Sequence, residues 1–402
     1  MSVKRRPRRG DGDGDGDGDG DEDGDGAIRP SPAVALVTRP SSSARAPRPA
    51  PHIPEPETYG VTIAPPLPGG FGVVAVTWSP PGRHRLAVRH AGGVREERDR
   101  PLQPVVPPTP LWHYTSPDED SGRWWDFPFR AGDIVVSTRS KSGTTWVQMI
   151  CLLLVLASPE LPDRLGRLSP WLDWLVEPKE EVFARLAAQA HRRVIKTHTP
   201  LDGVPLDDRA TYIVVGRHPL DMAVSFYHHR DNIDRGRMAE LTGQPERDLP
   251  RQPPLHEWLV GFVDWEGDAR AWLDTLPGTM LHLSDAWARR HDANVVLVHY
   301  DDLLADLDGS MRRLAGLLGL PVDEARWPAL VRAATFESMR ADARAPDGDL
   351  GVLKDPIAFF RRGKSGEGRA LLQPGEMAHY RDRVAAMAPD DLLAWLERDP
   401  EV

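Results

Sequence analysis

Residues 133–157 read DIVVSTRSKSGTTWVQMICLLLVLA. The first part, from Asp133 to Thr138, is a short apolar run with the β-branched composition of a buried strand. A polar loop follows, and then an apolar segment from Thr144 to about Ala157 that has the length of a helix. A strand that turns directly into a helix presents backbone N–H groups and the positive end of the helix dipole at the loop. We therefore predict an anion-binding site there.

The loop itself, residues 140–146, contains the residue types that a phosphate site requires. Gly143 lets the backbone approach an anion closely, and Lys141 supplies a point charge. The lysine stands at the start of the loop, whereas in a nucleoside-triphosphate P-loop it follows a glycine near the end. The alternative, a capped helix with a stray lysine, explains fewer of the seven consecutive residues. The predicted anion-binding residues are Lys141, Ser142, Gly143, Thr144 and Thr145.

Three further apolar runs predict more strands, and helical patterns follow the later ones. Apolar strands that alternate with helices indicate a parallel sheet that is buried on both faces. We therefore predict an α/β, P-loop-like three-layer fold with a central parallel sheet covered by helices on both faces. Ligands of such folds bind at the carboxyl ends of the strands. The predicted strands are 133–138, 193–197, 211–215 and 294–300, and the predicted helices begin at Thr144, at Pro219 and near residues 308 and 323.

The N-terminal part of the chain differs in composition. Residues 10–26 alternate Gly and Asp, and the segment that follows, to residue 110, is rich in Pro, Arg, Ala and Gly. Such segments have little to bury, so we predict a disordered extension over 1–110 and a single domain over 111–402. Asp11 to Glu22 also matches a calcium-loop pattern. A strict repeat matches that pattern in several registers, however, and no amphipathic helix flanks it.

Bulk composition excludes several classes of protein. The 402 residues carry a formal charge of -10, which disfavours a nucleic-acid partner. Cys151 is the only cysteine, so an internal disulfide and a cysteine-rich zinc site are excluded. The chain shows no signal-peptide pattern, and its longest apolar run, 149–157, is far shorter than the roughly 20 residues of a membrane helix. We expect a cytoplasmic protein without a transmembrane segment.

A candidate general base follows the second predicted strand, where residues 196–200 read KTHTP. A neutral imidazole, with a pKa of about 6.5, can take a proton from a hydroxyl at physiological pH. A histidine after a strand is more often structural when taken alone. Because His198 neighbours Lys196 and follows a strand beside the anion loop, we interpret it as catalytic.

An arginine and a serine frame the turn after the third predicted strand, in the segment VGRHPLDMAVS over 215–225. Arg217 offers a forked set of donors to a phosphate, and Ser225 lies two helical turns into the following helix. Three nearby histidines lack acidic or cysteine partners at the spacing of a zinc site. We therefore interpret His218, His228 and His229 as solvated or acceptor-side residues and predict no metal.

These segments, in this order, resemble the cytosolic sulfotransferases that use 3′-phosphoadenosine-5′-phosphosulfate (PAPS). The loop from Lys141 to Trp146 is similar to the family's KSGTTW signature, and the segment around His198 to its lysine-threonine-histidine motif. Arg217 and Ser225 match its contacts to the 3′-phosphate, as does the late segment Arg361-Arg362-Gly363. The resemblance covers roughly residues 111–398.

The resemblance implies a metal-free, in-line transfer of a sulfuryl group from PAPS to an acceptor hydroxyl. In it, His198 is the base, Lys141 stabilises the leaving nucleotide and Lys196 steadies the sulfuryl oxygens. Ser225 would hold Lys141 away from the donor until the acceptor arrives. The adenine would lie between Trp146 and Phe336, with Tyr300 and Thr335 beside it, although core packing explains Phe336 nearly as well. The catalytic residues so implied are His198, Lys141 and Lys196, and the remaining donor-binding residues are Ser142, Gly143, Thr144, Thr145, Trp146, Arg217, Ser225, Tyr300, Thr335, Phe336, Arg361, Arg362 and Gly363.

The chain departs from the family pattern at several positions. Arg139 and Ser140 replace an aromatic residue and a proline, and Arg362 replaces a lysine. Gly368 stands where the family commonly has tryptophan, which puts the local packing in doubt.

Two other classes stay open, a kinase-like P-loop protein and a noncatalytic nucleotide-binding scaffold. The acceptor, a lipid, glycolipid or small phenol or alcohol, and the oligomeric state are not readable from the sequence.

Overall fold

A computed structural model of the chain describes residues 110–246, 250–342 and 350–398. The extension predicted over 1–110, with its Asp/Gly repeat and calcium-loop pattern, lies outside the described residues apart from Pro110. The boundary between that extension and a domain over 111–402 therefore stays a prediction. Within the described ranges, no helix has both the length and the apolar character that crossing a membrane requires.

Four parallel strands form the central sheet, in the order β2-β1-β3-β4. Ile134 of the first strand pairs with Val194 on one side and with Thr211 on the other, and Tyr212 pairs with Val295. The predicted parallel sheet is confirmed, and the strand ends lie within one residue of those predicted. The strands are β1 Ile134–Ser137, β2 Val194–Thr197, β3 Thr211–Gly216 and β4 Val295–His299.

Separate apolar cores cover the two faces of the sheet, as the three-layer prediction requires. Successive residues of a strand point to opposite faces. Val135 therefore packs in one core, with Leu220 from a helix on that face. Its neighbour Ile134 packs in the other core, with Ile150 from the helix that follows β1.

The helices on the two faces begin close to the predicted positions. The helix expected from residue 323 starts instead at Trp327, because Pro328 occupies its first turn and residues 324–326 form a 3-10 turn. Two further 3-10 turns cover Ser121–Trp124 and Leu201–Gly203. The helices are α1 Thr144–Leu156, α2 Leu165–Leu168, α3 Lys179–Ala188, α4 Pro219–Asn232, α5 Arg235–Thr242, α6 Leu255–Asp264, α7 Leu276–Ala288, α8 Tyr300–Ala305, α9 Leu307–Leu317, α10 Trp327–Ala333, α11 Phe336–Ala341, α12 Pro356–Phe359, α13 Glu367–Leu371, α14 Pro374–Ala385 and α15 Asp390–Leu396.

Candidate active site

Segments that follow the four strands meet at the carboxyl edge of the sheet and enclose two adjoining cavities. The inner cavity has a volume of about 160 Å³. The outer one, which we call the aromatic groove, has a volume of about 810 Å³. Ser140, Trp171 and His229 line both, so the two cavities share a wall. The predicted site residues that line the inner cavity are Lys141, Gly143, Thr144, Thr145, Trp146, Lys196, His198, Arg217, Ser225, Tyr300, Phe336, Arg361, Arg362 and Gly363.

Two predicted site residues are not among those that line the inner cavity. Ser142 is buried, and its backbone N–H donates to the carbonyl of Arg139 at 3.2 Å. The Thr335 hydroxyl donates to the carbonyl of Arg332 at 3.0 Å and accepts from the backbone N–H of Ser338 at 3.2 Å. That hydroxyl therefore caps α11.

The loop after β1 has the backbone geometry of an anion site. Lys141 and Gly143 both have positive φ, at 63° and 109°. A Cβ on Gly143 would lie 2.9 Å from the Tyr300 ring, so only glycine fits there. The loop then enters α1 at Thr144, where the helix N-terminus adds its unpaired N–H groups to the cavity.

The Lys141 side chain is held by Phe359, at the end of α12. Its ammonium lies 3.5 Å from the centre of the Phe359 ring and 3.4 Å from the Phe359 carbonyl oxygen. Burial, together with the positive charges of Arg217, Lys196 and Arg361, lowers the pKa of Lys141 to about 7. An anion bound in this cavity would oppose that shift.

Arg217 braces the anion loop against the late basic segment. Its guanidinium donates to the carbonyl of Lys141 at 2.9 Å and to the carbonyl of Lys364 at 3.1 Å. The guanidinium carbon lies 4.2 Å from the centre of the Tyr300 ring. Its buried Nε has no hydrogen-bond partner among the described residues. A buried donor in that state is suited to a ligand oxygen.

The late segment supplies two more arginines, both paired with Glu367. Arg361 makes a two-pronged ion pair with that carboxylate, and Arg362 approaches it at 3.2 Å. The buried Nε of Arg361 also has no partner among the described residues. Gly363 has φ 60°, and a Cβ there would lie 2.7 Å from the Phe336 ring. The backbone therefore runs close along this ring at the edge of the cavity.

Aromatic side chains form the apolar part of the inner cavity. Trp146 meets Tyr300 edge to face at 5.4 Å, and its indole N–H donates to the carbonyl of Ala334 at 2.8 Å. Phe336 meets Phe360 at 6.0 Å. The fixed Trp146 ring and the Phe336 ring give the cavity the flat faces that a nucleobase requires.

The imidazole of His198 is fixed in orientation. Its Nδ1 hydrogen-bonds the carbonyl oxygen of Thr138, so that nitrogen is the donor and Nε2 is left as the acceptor. The ring meets Trp171 edge to face at 4.4 Å. Burial and the charges of Lys196 and Arg139 lower the pKa of His198 well below its ordinary value. The imidazole is therefore neutral at physiological pH and able to take a proton.

Lys196 and Trp171 lie together at the wall between the cavities. The Lys196 ammonium is 3.9 Å from the centre of the Trp171 ring. Trp171 stacks in turn on Trp174, which lines the aromatic groove, with ring centres 4.8 Å apart. A cation thus lies at the junction, next to His198.

The histidines of α4 differ in their surroundings. His218 is buried, with 3% exposure, and caps α4 by accepting from the N–H of Leu220 at 3.3 Å. Its interpretation as a solvated or acceptor-side residue was wrong, because the cap position turns it into the core. His228 is exposed, and His229 lines both cavities.

The structure explains the glycine at position 368. The two carboxylate oxygens of Asp221 accept from the N–H groups of Gly366 and Gly368, each at 2.7 Å. A Cβ on Gly368 would lie 2.4 Å from the backbone of Leu220. The helix α13 is therefore pinned directly on α4, and no larger side chain fits between them.

The aromatic groove combines an apolar wall with a few charged groups. Burial and the carboxylates of Asp173 and Asp274 raise the pKa of Glu119 to about 8, although Arg139 and Lys196 oppose the rise. From the sequence, the acceptor pocket is expected around 158–190, 230–256 and 342–360; the first two segments contribute to the groove, whereas the residues of 114–119 and 257–275 were missed. The density of tryptophan in 171–174 and 258–272 was the available signal. The aromatic residues that line the groove are Tyr114, Trp171, Trp174, Phe226, Trp258, Phe262, Trp265 and Trp272.

Comparison with known proteins identifies the family of this chain. The model of the sulfotransferase domain family matches residues 131–388. A glycolipid sulfotransferase of Mycobacterium bovis is 40% identical over 308 residues, which cover 70% of this chain and 93% of that protein. The human sulfotransferase 2B1 is 29% identical over 243 residues, or 58% of each chain.

Solved structures share the fold. Retinol dehydratase in complex with androsterone and the inactive cofactor PAP has a TM-score of 0.53 at 22% identity, over 73% of this chain and 93% of that one. A mouse sulfotransferase complexed with PAP has a TM-score of 0.51 at 20% identity, over 69% and 93%. At these identities, the likeness concerns the chain path alone.

Proposed function

This chain belongs to the sulfotransferase family, and from that premise we propose that it transfers a sulfuryl group from PAPS to a hydroxyl of a glycolipid. As a family member it is an enzyme of the EC 2.8.2 type. One observation carries the proposal. A neutral, oriented histidine and the cationic groups of four separate segments line a single small cavity that adjoins a large aromatic one.

The inner cavity fits the nucleotide part of PAPS. Backbone N–H groups of the loop 140–146 and the Lys141 ammonium would bind the 5′-phosphosulfate. Arg217, Ser225 and the segment 361–363 would bind the 3′-phosphate, for which the partnerless Nε atoms of Arg217 and Arg361 are suited. Trp146 and Phe336 would hold the adenine between them. PAPS, when bound, supplies the activated sulfuryl group.

In the reaction, the acceptor oxygen forms a bond to sulfur as the bond from sulfur to the bridging oxygen of the nucleotide breaks. The hydroxyl proton passes to Nε2 of His198, which lines the inner cavity and whose ring is held by the hydrogen bond from Nδ1 to the carbonyl oxygen of Thr138. Lys141 stabilises the negative charge that develops on the bridging oxygen, and Lys196 that on the sulfuryl oxygens. Preorganised cations of this kind contribute to the rate because they need not rearrange during transfer.

The aromatic groove supports a large amphiphilic acceptor. It has about five times the volume of the inner cavity, and five tryptophans and two phenylalanines contribute apolar surface to its wall. The Asp274 carboxylate in its wall can accept from a sugar hydroxyl, and Glu119, whose raised pKa keeps it mostly protonated at pH 7, can donate to one. The mycobacterial relative at 40% identity is itself a glycolipid sulfotransferase.

The test is a transfer assay with isotopically labelled PAPS and a panel of glycolipids, sterols and phenols, with mass spectrometry as the readout. We expect label on a glycolipid, with no added metal. His198→Ala should abolish most of the transfer while it still binds PAP.

Two results would contradict the proposal. Preferred binding of ATP with magnesium over PAP would indicate the kinase-like class. Tight PAP binding without transfer to any acceptor of the panel would indicate a nucleotide-binding scaffold.

A further inference from the structure

Arg139 occupies an unusual place beside the anion loop. It directly precedes Ser140 and Lys141 in sequence, yet its side chain lies on the groove side rather than in the inner cavity. The guanidinium is buried, with 3% exposure. It donates a hydrogen bond to the backbone carbonyl of His198 and another, at 2.6 Å, to a carboxylate oxygen of Asp274.

Asp274 belongs to the wall of the aromatic groove. Its side chain is 31% exposed, so it is within reach of an acceptor as well as of Arg139. The next residue, Thr275, caps α7 by accepting from the N–H of Gly278 at 3.2 Å. The carboxylate is therefore anchored at a helix start, and Arg139 bridges this fixed point to His198.

We propose that Arg139 is a positioning residue for the transfer, in which its guanidinium, anchored by Asp274, fixes the backbone of His198 against the acceptor groove. This inference rests on the proposed role of His198 as the base. The Arg139 side chain then links the groove wall, at Asp274, to the backbone of the base.

The cost of burying this arginine favours a functional reason for it. A buried ion pair is often no more stabilising than apolar side chains of similar volume. The Nε of Arg139 is buried without a partner among the described residues, which adds a desolvation cost.

The charge of Arg139 also acts on the imidazole. Together with burial and Lys196, it lowers the pKa of His198. Removal of the positive charge should raise that pKa, and removal of the charge of Asp274 should lower it. Charged and titratable groups from several segments surround His198 and Arg139. Lys196 belongs to β2, Arg139 follows β1, Asp274 precedes α7 and His282 lies within it. Asp173 and Glu119 come from loops.

The test compares Arg139→Met, Arg139→Lys and Asp274→Asn in labelled transfer assays over a range of pH. Arg139→Met should lower kcat by about 10- to 100-fold, the scale of a small misplacement of a reacting group, with an unchanged Kd for PAP. The acidic limb of its pH profile should move to higher pH. Asp274→Asn should move the limb to lower pH, and Arg139→Lys should keep it in place while lowering kcat.

A matched control is Arg185→Met, which breaks an ion pair with Glu177 at 2.7 Å outside both cavities. Its kcat and pH profile should be those of the wild type. If Arg139→Met does not fold, the other two variants decide the matter: the limb should stay in place in Arg139→Lys, with a lowered kcat, and move to lower pH in Asp274→Asn.

Either of two results would overturn this inference and leave the proposed function intact. One is a wild-type kcat in Arg139→Met, and the other is an acidic limb that moves in the same direction in Arg139→Met and Asp274→Asn. An unmoved limb in Asp274→Asn would overturn it as well. Failure of the proposed function would show differently, as absence of transfer by the wild type or full activity in His198→Ala.

Discussion

Binding of the nucleotide should draw a proton onto Lys141. In the free protein, burial and three neighbouring cations hold its pKa at about 7. The Lys141 amine is therefore about half protonated at pH 7 and about one-tenth protonated at pH 8. Phosphate anions in the cavity would favour the charged form and raise this pKa. Each PAP bound should then take up about 0.5 proton at pH 7 and about 0.9 proton at pH 8.

The affinity for PAP should fall as the pH rises above 7. Lys141 has a higher pKa in the complex than in the free protein, so its contribution to affinity is complete below pH 7 and declines above it. The affinity for PAP should fall by up to about tenfold per pH unit between 7 and the pKa of the complex.

Isothermal titration calorimetry in buffers of different ionisation enthalpy measures this proton uptake directly. Lys141→Arg is the matched control, because its guanidinium stays charged throughout this range and should bind PAP with little proton uptake. Lys141→Met should also lose the uptake, together with affinity. Wild-type uptake near zero at pH 8, or equal uptake in Lys141→Arg, would refute the reasoning.

Three further variants test separate parts of the site and fold. His198→Ala should lower kcat by about 10²–10⁴-fold and leave calorimetric PAP affinity unchanged; a severe loss of affinity would argue against its role as the base. Arg217→Ala should weaken PAP binding by about 1.5–3 kcal/mol, the scale of hydrogen bonds to charged groups, and an unchanged Kd would remove it from the nucleotide site. Gly368→Ala should lower the thermal midpoint because its Cβ meets the backbone of Leu220; overpacking costs about 1–3 kcal/mol. Gly375→Ala, where the Cβ has open space within 4 Å, should not.

The sheet was predictable from sequence because its strands are short apolar runs that are buried on both faces. Three of the runs end where a polar residue begins a loop, and the fourth ends directly at a helix, so the strand ends were readable to within one residue. The anion loop was readable for a related reason. Its function depends on backbone geometry between adjacent elements, which a contiguous stretch of residues encodes.

Contacts between distant segments could not be predicted in this way. Phe359 meets Lys141 across more than two hundred residues, and Asp274 meets Arg139 across more than one hundred. Thr335 was predicted at the nucleotide site by resemblance, and that prediction is untested. Its hydroxyl also caps α11, a contact that the sequence reasoning did not include.

The shared wall of the two cavities has a consequence for the order of catalysis. Trp171, Ser140 and His229 contact the space of the inner cavity and that of the groove at once. If the inner cavity takes the donor and the groove the acceptor, as proposed, the two meet across these side chains in one ternary complex, and no covalent sulfated intermediate is needed to carry the group between them. On the same proposal, the spent nucleotide would be left in the inner cavity and the sulfated product in the groove, so that their releases would be two separate steps. Turnover would then consist of one chemical step and two product releases, and the slower release would set the overall rate if it were slower than transfer.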